Sequence, residues 1–137
     1  MLSWKFIKKY NKNKRLNFIH VNIGKTKDWG KPLNDKKSDL LPNYSGVLDD
    51  TIINSKIDTI LVDGRFRVAC ILNAILNCNK DVIILVHDFW SREHYHIVLN
   101  YLDTVSKVDN LGVFKIKKNV DIEDIEKLYD KYKYIPN

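Results

Sequence analysis

Two carboxylates and a histidine follow two apolar runs of the chain. Asp63 comes directly after residues 57–62, and His87 and Asp88 come directly after residues 82–86. If the runs are neighbouring parallel strands, the carboxylates are separated by little more than one strand spacing, roughly 5 to 10 Å. Such a pair can hold a divalent metal ion or bind hydroxyl and amine groups, and His87 can act as general base or ligand. The alternative is structural, with helix-capping aspartates and a histidine bonded to the backbone.

Two arginines stand where a helix is predicted to begin, directly after Asp63. A cation at this end of a helix opposes the macrodipole, so local stability does not explain Arg65 and Arg67. Three interpretations stay open. The arginines pair with Asp63 and Asp88, they bind an anionic group such as a carboxylate or phosphate, or they are solvated surface residues.

The segment at residues 87–96 adds further candidates, with three histidines, three aromatic residues and one arginine. His94 and His96 are two positions apart on a predicted helix, so at most one of them faces the crevice. Neither HExxH nor paired CxxC spacing occurs, so a zinc site is not predicted. The long loop at residues 24–44 contributes Trp29, either as a wall of the site or as a surface staple. The side chains predicted to bind substrate are Arg65, Arg67, Arg92, His94 and Trp29.

A strand, a helix and a second strand position the two acidic ends. The runs at residues 57–62 and 82–86 are short and apolar, as expected of strands buried on both faces. Between them, apolar residues at i, i+3, i+4, i+7 and i+8 predict a helix over residues 68–76. This βαβ unit places the carboxyl ends of both strands at one edge of a sheet, where ligands of α/β proteins bind.

The remaining elements are predicted from periodicity and capping residues. A short helix in the first ten residues precedes a strand at residues 16–23, and a second helix begins at Ser91 and keeps its apolar period to Val105. A turn then leads to an edge strand at residues 111–117. Asp121 caps a final helix.

Composition limits the class of protein. A length of 137 residues is typical of one domain, and 45% hydrophobic residues predict a folded core. The net charge of +6 is compatible with an anionic partner, although the lysines accompany abundant Asn and Ile, as AT-rich codons produce. Cys70 and Cys78 lie more than two helical turns apart, which disfavours a disulfide and indicates a reducing compartment. No signal peptide or membrane span is predicted, so we expect a cytoplasmic protein without a membrane partner.

Three segments of the chain resemble the C-terminal half of class I S-adenosylmethionine-dependent methyltransferases, which are Rossmann-like. They are VDGRFRVAC (62–70), VHDFWSREHYHIV (86–98) and GVFKIK (112–117), and FIHVNIGKTKDWGKP (18–32) is similar to the stretch that precedes them in the family. The resemblance implies an α/β fold with a mostly parallel sheet and flanking helices. Nothing matches the family's first two strands or its glycine-rich cofactor loop. We therefore expect one Rossmann-like domain, residues 1–137, that lacks those strands and is truncated or split.

The resemblance also assigns roles to three positions. Asp63 and Asp88 match the acidic positions after the fourth and fifth strands, near the donor and acceptor pocket, and Asn22 matches a position near the adenine. It implies S-adenosylmethionine as cofactor, bound by Asn22 and Asp63, while a divalent metal at Asp63 and Asp88 is a separate expectation. Because the glycine-rich loop is missing, this chain alone is predicted to bind the cofactor weakly or not at all.

The leading hypothesis is a methyltransferase acting on a small polar or sugar acceptor. Asp63 and Asp88 orient the acceptor hydroxyl, His87 takes its proton, and the arginines hold an anionic part of the substrate. The alternative is a non-catalytic remnant or binding module that has lost the cofactor loop. Expected partners are a small molecule and either a complementing chain or a second copy. Nucleic-acid binding through a basic face is a third hypothesis, for which no motif is present.

Overall fold

The computed structural model describes residue 9 and residues 12–33, 38–48 and 57–137. The helix predicted in the first ten residues lies almost entirely outside this part. The elements in chain order are α1 (Pro42–Ser45), β1 (Thr59–Val62), α2 (Arg67–Asn77), β2 (Ile83–Val86), a 3-10 helix (Glu93–Asn100), β3 (Leu102–Val108), β4 (Leu111–Ile116) and α3 (Ile122–Tyr132). Short 3-10 turns cover Asp28–Gly30 and Gly46–Leu48.

The βαβ unit forms as the sequence predicts. β1 and β2 are adjacent and parallel, and their last residues, Val62 and Val86, are paired. The apolar stripe predicted for α2 is buried in the same core cluster as Val62 and Val86, and most of the helix around it is buried as well. Asp63 and His87 therefore leave the sheet at the same edge.

The sheet is α/β in architecture but mixed in direction. Its order is β1-β2-β4-β3, with one parallel pair and two antiparallel pairs. The antiparallel pairing of β3 with β4 follows from the tight turn at Asp109, because a connection of two residues can join only antiparallel strands. Asp109 adopts a φ of 50°, a left-handed conformation that aspartate tolerates.

The helices that the structure describes cover one face of the sheet, and strand residues on the other face are partly exposed, so the strands are not buried on both faces as predicted. Ile84, Val86 and Phe114 are fully buried on the covered face. On the other face Leu61 is 63% exposed, and Leu85 beside it is only partly buried. The sheet thus has one apolar face packed into the core and one face with accessible apolar residues.

Three predicted elements are corrected by pairing. Residues 16–23 form no strand, because no described strand pairs with them. The helix after Ser91 is a 3-10 helix that ends at Asn100, and residues 102–108 form β3 because they can pair with β4. Because β3 pairs with the outer side of β4, the predicted edge strand, β4, lies inside the sheet and β3 forms its edge.

The last helix begins as predicted. The side chain of Asp121 accepts a hydrogen bond from the Asp124 backbone N–H at 3.2 Å, and Ile125 is buried against the core. Cys70 and Cys78 are both free thiols. No helix in the part of the chain that the structure describes is long and apolar enough to cross a membrane.

Candidate functional site

The ends of β1 and β2 bring Asp63, His87 and Asp88 together. His87 Nδ1 lies 3.0 Å from Asp63 Oδ1 and 3.5 Å from Asp88 Oδ1. The His87 backbone N–H donates to the Val62 carbonyl, which extends the parallel pairing up to the site. Asp88 has a φ of 54°, in the left-handed region, so the chain turns sharply there. The predicted proximity of the two carboxylates is confirmed.

Arg67 lies between the two carboxylates, so of the three interpretations of the arginines its position favours pairing with Asp63 and Asp88. Its Nη2 is 3.5 Å from Asp63 Oδ1 and 3.9 Å from Asp88 Oδ2, and its side chain is 8% exposed. Nη1 donates to the hydroxyl of buried Tyr95 at 3.0 Å. These partners offset the unfavourable position of a cation at a helix N-terminus. Arg67 is thus part of the carboxylate network, and it is not available to a substrate anion in this arrangement.

The same arrangement disfavours the predicted metal site. Among the described residues, no group of three or more His, Cys, Asp or Glu side chains is placed to hold a metal ion. The guanidinium of Arg67 supplies the positive charge that the two carboxylates require, where a divalent ion would otherwise do so. The expectation of a metal at Asp63 and Asp88 stays a prediction, which this structure does not support.

Arg92 and Tyr95 complete the network around Asp88. Arg92 Nη2 donates to Asp88 Oδ2 at 3.1 Å, four residues along the chain. The guanidinium carbons of Arg67 and Arg92 lie 5.5 and 6.0 Å from the centre of the Tyr95 ring. Sequence reasoning missed Tyr95 because its spacing matched an apolar helical stripe. The available signal was its place between His94 and His96, three residues after Arg92.

Arg65 points away from the carboxylates. Its Nε donates to the backbone carbonyl of Trp29 at 3.0 Å, whereas the Trp29 side chain is 85% exposed. Trp29 therefore contributes a carbonyl group, and its ring is not a wall of the site. Tyr44 packs over the same turn, since a Cβ at Gly64 would collide with the Tyr44 hydroxyl. Burial raises the pKa of Tyr44 above its usual value.

A cavity of about 420 Å³ lies beside this network. Three of the residues predicted to bind substrate, Arg65, Arg92 and His94, line it together with Lys131 from α3, which the sequence did not single out. Its remaining lining residues are Val68, Tyr132, Ile135 and Asn137. Asp63, His87 and Asp88 do not line the cavity. Arg92 joins the two, because it lines the cavity and bonds to Asp88.

Asn22 is not brought to this site. It lines a separate cavity of about 540 Å³ with Asn43, Tyr129 and Lys133 among others, and the two cavities share no lining residue. The Asn22 side-chain oxygen accepts the Gly24 backbone N–H at 3.0 Å, and its backbone carbonyl accepts from Asn43 at 3.3 Å. The Asn22 amide, predicted to lie near the adenine, thus has its oxygen bonded within its own loop.

His94 and His96 differ as predicted. His94 is exposed, and its ring lies 4.2 Å from that of Tyr95. His96 is partly buried, with its Nε2 3.2 Å from the Phe89 carbonyl and its ring against Phe89. His94 therefore faces the cavity, while His96 supports the core.

Comparison with known proteins finds a similar solved structure but no matching family model. No family model matches the sequence, and no curated protein matches it. Among solved structures, a methyltransferase-like protein from Silicibacter pomeroyi DSS-3 superposes with a TM-score of 0.81 and 27% identity, covering 96% of this chain and 71% of the other. This chain therefore has the α/β fold of a methyltransferase-like protein.

Proposed function

We propose that this chain is a methyltransferase-like protein that binds a small polar acceptor, such as a sugar, at Asp63, His87 and Asp88. The observation that carries the proposal is the 3.0 Å contact between His87 Nδ1 and Asp63 Oδ1. A carboxylate at this distance accepts the Nδ1 proton, so the neutral imidazole keeps its lone pair on Nε2. Nε2 forms no hydrogen bond to any residue that the structure describes, and the ring is 52% exposed.

This geometry suits proton abstraction from a hydroxyl group. The acceptor O–H proton moves to His87 Nε2, and the imidazolium that forms is stabilised by Asp63 at 3.0 Å and Asp88 at 3.5 Å. A positioned general base typically contributes about 10² to 10⁴ in rate. Arg67 keeps both carboxylates in place, so it is a positioning residue.

S-adenosylmethionine is the methyl donor that the family resemblance implies, and the described residues do not fit it well. Of the five glycines, Gly64 alone lies in a turn between a strand and a helix, and the Tyr44 hydroxyl fills the space beside it. Asn22 uses its side-chain oxygen within its own loop. We derive no transfer step from these residues. Calorimetric titration of the isolated chain should give weak or no binding, and a micromolar Kd would contradict this expectation.

Methyl transfer is the direct test. The purified chain is incubated with radiolabelled S-adenosylmethionine at millimolar concentration and with a set of sugars and sugar phosphates. We expect label incorporation to fall about 100-fold in His87→Gln. His20→Gln is the matched control, because this histidine is exposed and lines the other cavity. Equal transfer by His87→Gln would refute the role of the histidine.

The second candidate is a binding module that holds the acceptor without transferring a methyl group. The observation that favours it is that the strand-to-helix turns among the described residues contain a single glycine, Gly64, whereas a glycine-rich turn is typical of a dinucleotide cofactor site. Acceptor binding without labelled product in the wild-type chain would select this candidate.

A further inference from the structure

Basic side chains from three parts of the chain converge on the 420 Å³ cavity. Arg65 comes from the turn after β1, Arg92 and His94 from the segment after β2, and Lys131 from α3. None of the side chains lining this cavity is acidic. Because these groups are distant in sequence, no helix pattern or local charge run explains their meeting.

The positive charge of this cavity is only partly neutralised. Arg92 pairs with Asp88, but Arg65 has its Nε on a backbone carbonyl, and no described carboxylate forms a salt bridge with it or with Lys131. The Lys131 ammonium lies 5.7 Å from the Tyr132 ring centre. Cations that line one concavity raise the local positive potential, which attracts an anion.

The number and placement of the donors favour a phosphoryl group over a carboxylate. Two unpaired cations match the charge of about −2 that a phosphate monoester carries at neutral pH. Its tetrahedral oxygens can accept hydrogen bonds from three directions, whereas a planar carboxylate is satisfied by one guanidinium fork. Val68, Tyr132 and Ile135 provide an apolar wall for the body of the molecule.

We propose that the cavity is a phosphoryl subsite, and that the acceptor is a phosphorylated hydroxy compound. This inference rests on the proposed function, since it names the substrate class of the same site. Arg92 links the subsite to the site at Asp63, His87 and Asp88, because Arg92 bonds to Asp88 and also lines the cavity. Phosphoryl binding at Arg65 and Lys131 leaves the hydroxyl end of the molecule directed by Asp88 toward His87.

The test measures the binding of simple probes to the full chain by NMR and by calorimetry, at constant ionic strength. Inorganic phosphate and glycerol 3-phosphate should bind saturably, while glycerol should not bind. The double variant Arg65→Gln/Lys131→Gln should bind both phosphates at least about 10-fold more weakly, as expected for the loss of charge-assisted hydrogen bonds. Lys127→Gln removes the same charge from α3 outside the cavity and should stay within about twofold of wild type.

Three outcomes overturn the inference. They are no saturable phosphate binding, equal binding by the double variant, and weakening by Lys127→Gln as large as that of the double variant. Tighter binding of single-stranded nucleic acid with a steep salt dependence would indicate a general basic surface instead.

His87→Gln should retain phosphate binding, so loss of methyl transfer in that variant tests the proposed function separately. Circular dichroism melts of each variant check that it is folded.

Discussion

Arg67 gives the sharpest test of the network, because it is buried and has two carboxylate partners. Replacing Arg67 by Gln removes the cation but keeps a polar side chain of intermediate length. Asp63 Oδ1 and Asp88 Oδ1 both contact His87 Nδ1, at 3.0 and 3.5 Å, so they cannot be further apart than the two distances combined, 6.5 Å. The variant therefore leaves two carboxylates in mutual repulsion and the Tyr95 hydroxyl without its donor.

The size of the effect follows from burial. Removing one partner of a fully buried ion pair costs about 3 to 5 kcal/mol. The side chains of Asp63 and Asp88 are 52% and 32% exposed, so water screens them and the cost is smaller. We expect Arg67→Gln to lower the free energy of unfolding by about 1 to 3 kcal/mol at neutral pH. For a domain of this size, 1 kcal/mol corresponds to roughly 3 to 5 °C in Tm.

Thermal melts followed by circular dichroism in low-salt buffer measure this loss. Arg65→Gln is the matched control, because Arg65 contacts neither carboxylate, and it should melt within about 2 °C of wild type. Adding Asp88→Asn to Arg67→Gln should recover part of the stability, since one of the repelling charges is gone. An Arg67→Gln variant that melts like wild type would refute the network, as would an equal loss in Arg65→Gln.

Three further predictions concern the core and its titratable groups. Ile84→Asp should abolish cooperative urea unfolding, because Ile84 is fully buried and the buried charge costs several kcal/mol. Leu61→Asp, on the exposed face, should be tolerated. Similar urea unfolding of both variants would contradict the one-sided core. Burial raises the pKa of Cys70 to about 12, and it also raises the pKa of Cys78. At pH 8 a disulfide reagent should therefore modify Cys78 faster than Cys70. A faster reaction in Cys78→Ser, which keeps only Cys70, than in Cys70→Ser would count against this. The pKa of Tyr101 is raised from 10.0 to about 12 by burial and by Asp124, so its contribution to stability is complete below pH 10 and is lost as pH rises toward 12. Urea unfolding at pH 8 and pH 11 measures this loss. Tyr101→Phe should show a smaller decline from pH 8 to pH 11, and an identical decline would refute the assignment.

Local sequence determined the elements whose signals do not depend on a partner. The periodic apolar residues between positions 68 and 76 predicted α2, and the acidic N-cap Asp121 predicted the start of α3. The two apolar runs predicted β1 and β2 and placed Asp63 and His87 at one edge. Helix periodicity, capping and strand ends are short-range properties, so a single sequence carries them.

Tertiary pairing decided the strands that the sequence misassigned. Residues 102–108 include positions with helical spacing, yet they form β3 because β4 offers backbone partners along its length, with one register shift between Thr104 and Ser106. Residues 16–23 have high strand propensity and remain irregular because no described strand is beside them. A strand is stable only with a neighbour, and that neighbour is not specified locally.

The same distinction applies to the site. Arg65 and Arg67 are two positions apart, and their sequence context left the same three interpretations open for both. Packing places one between Asp63 and Asp88 and directs the other to a cavity completed by Lys131. The sequence alone determined which chemical groups gather at the strand ends. Only the tertiary structure decided which charges neutralise each other, because Coulomb interactions depend on distances between groups far apart in sequence.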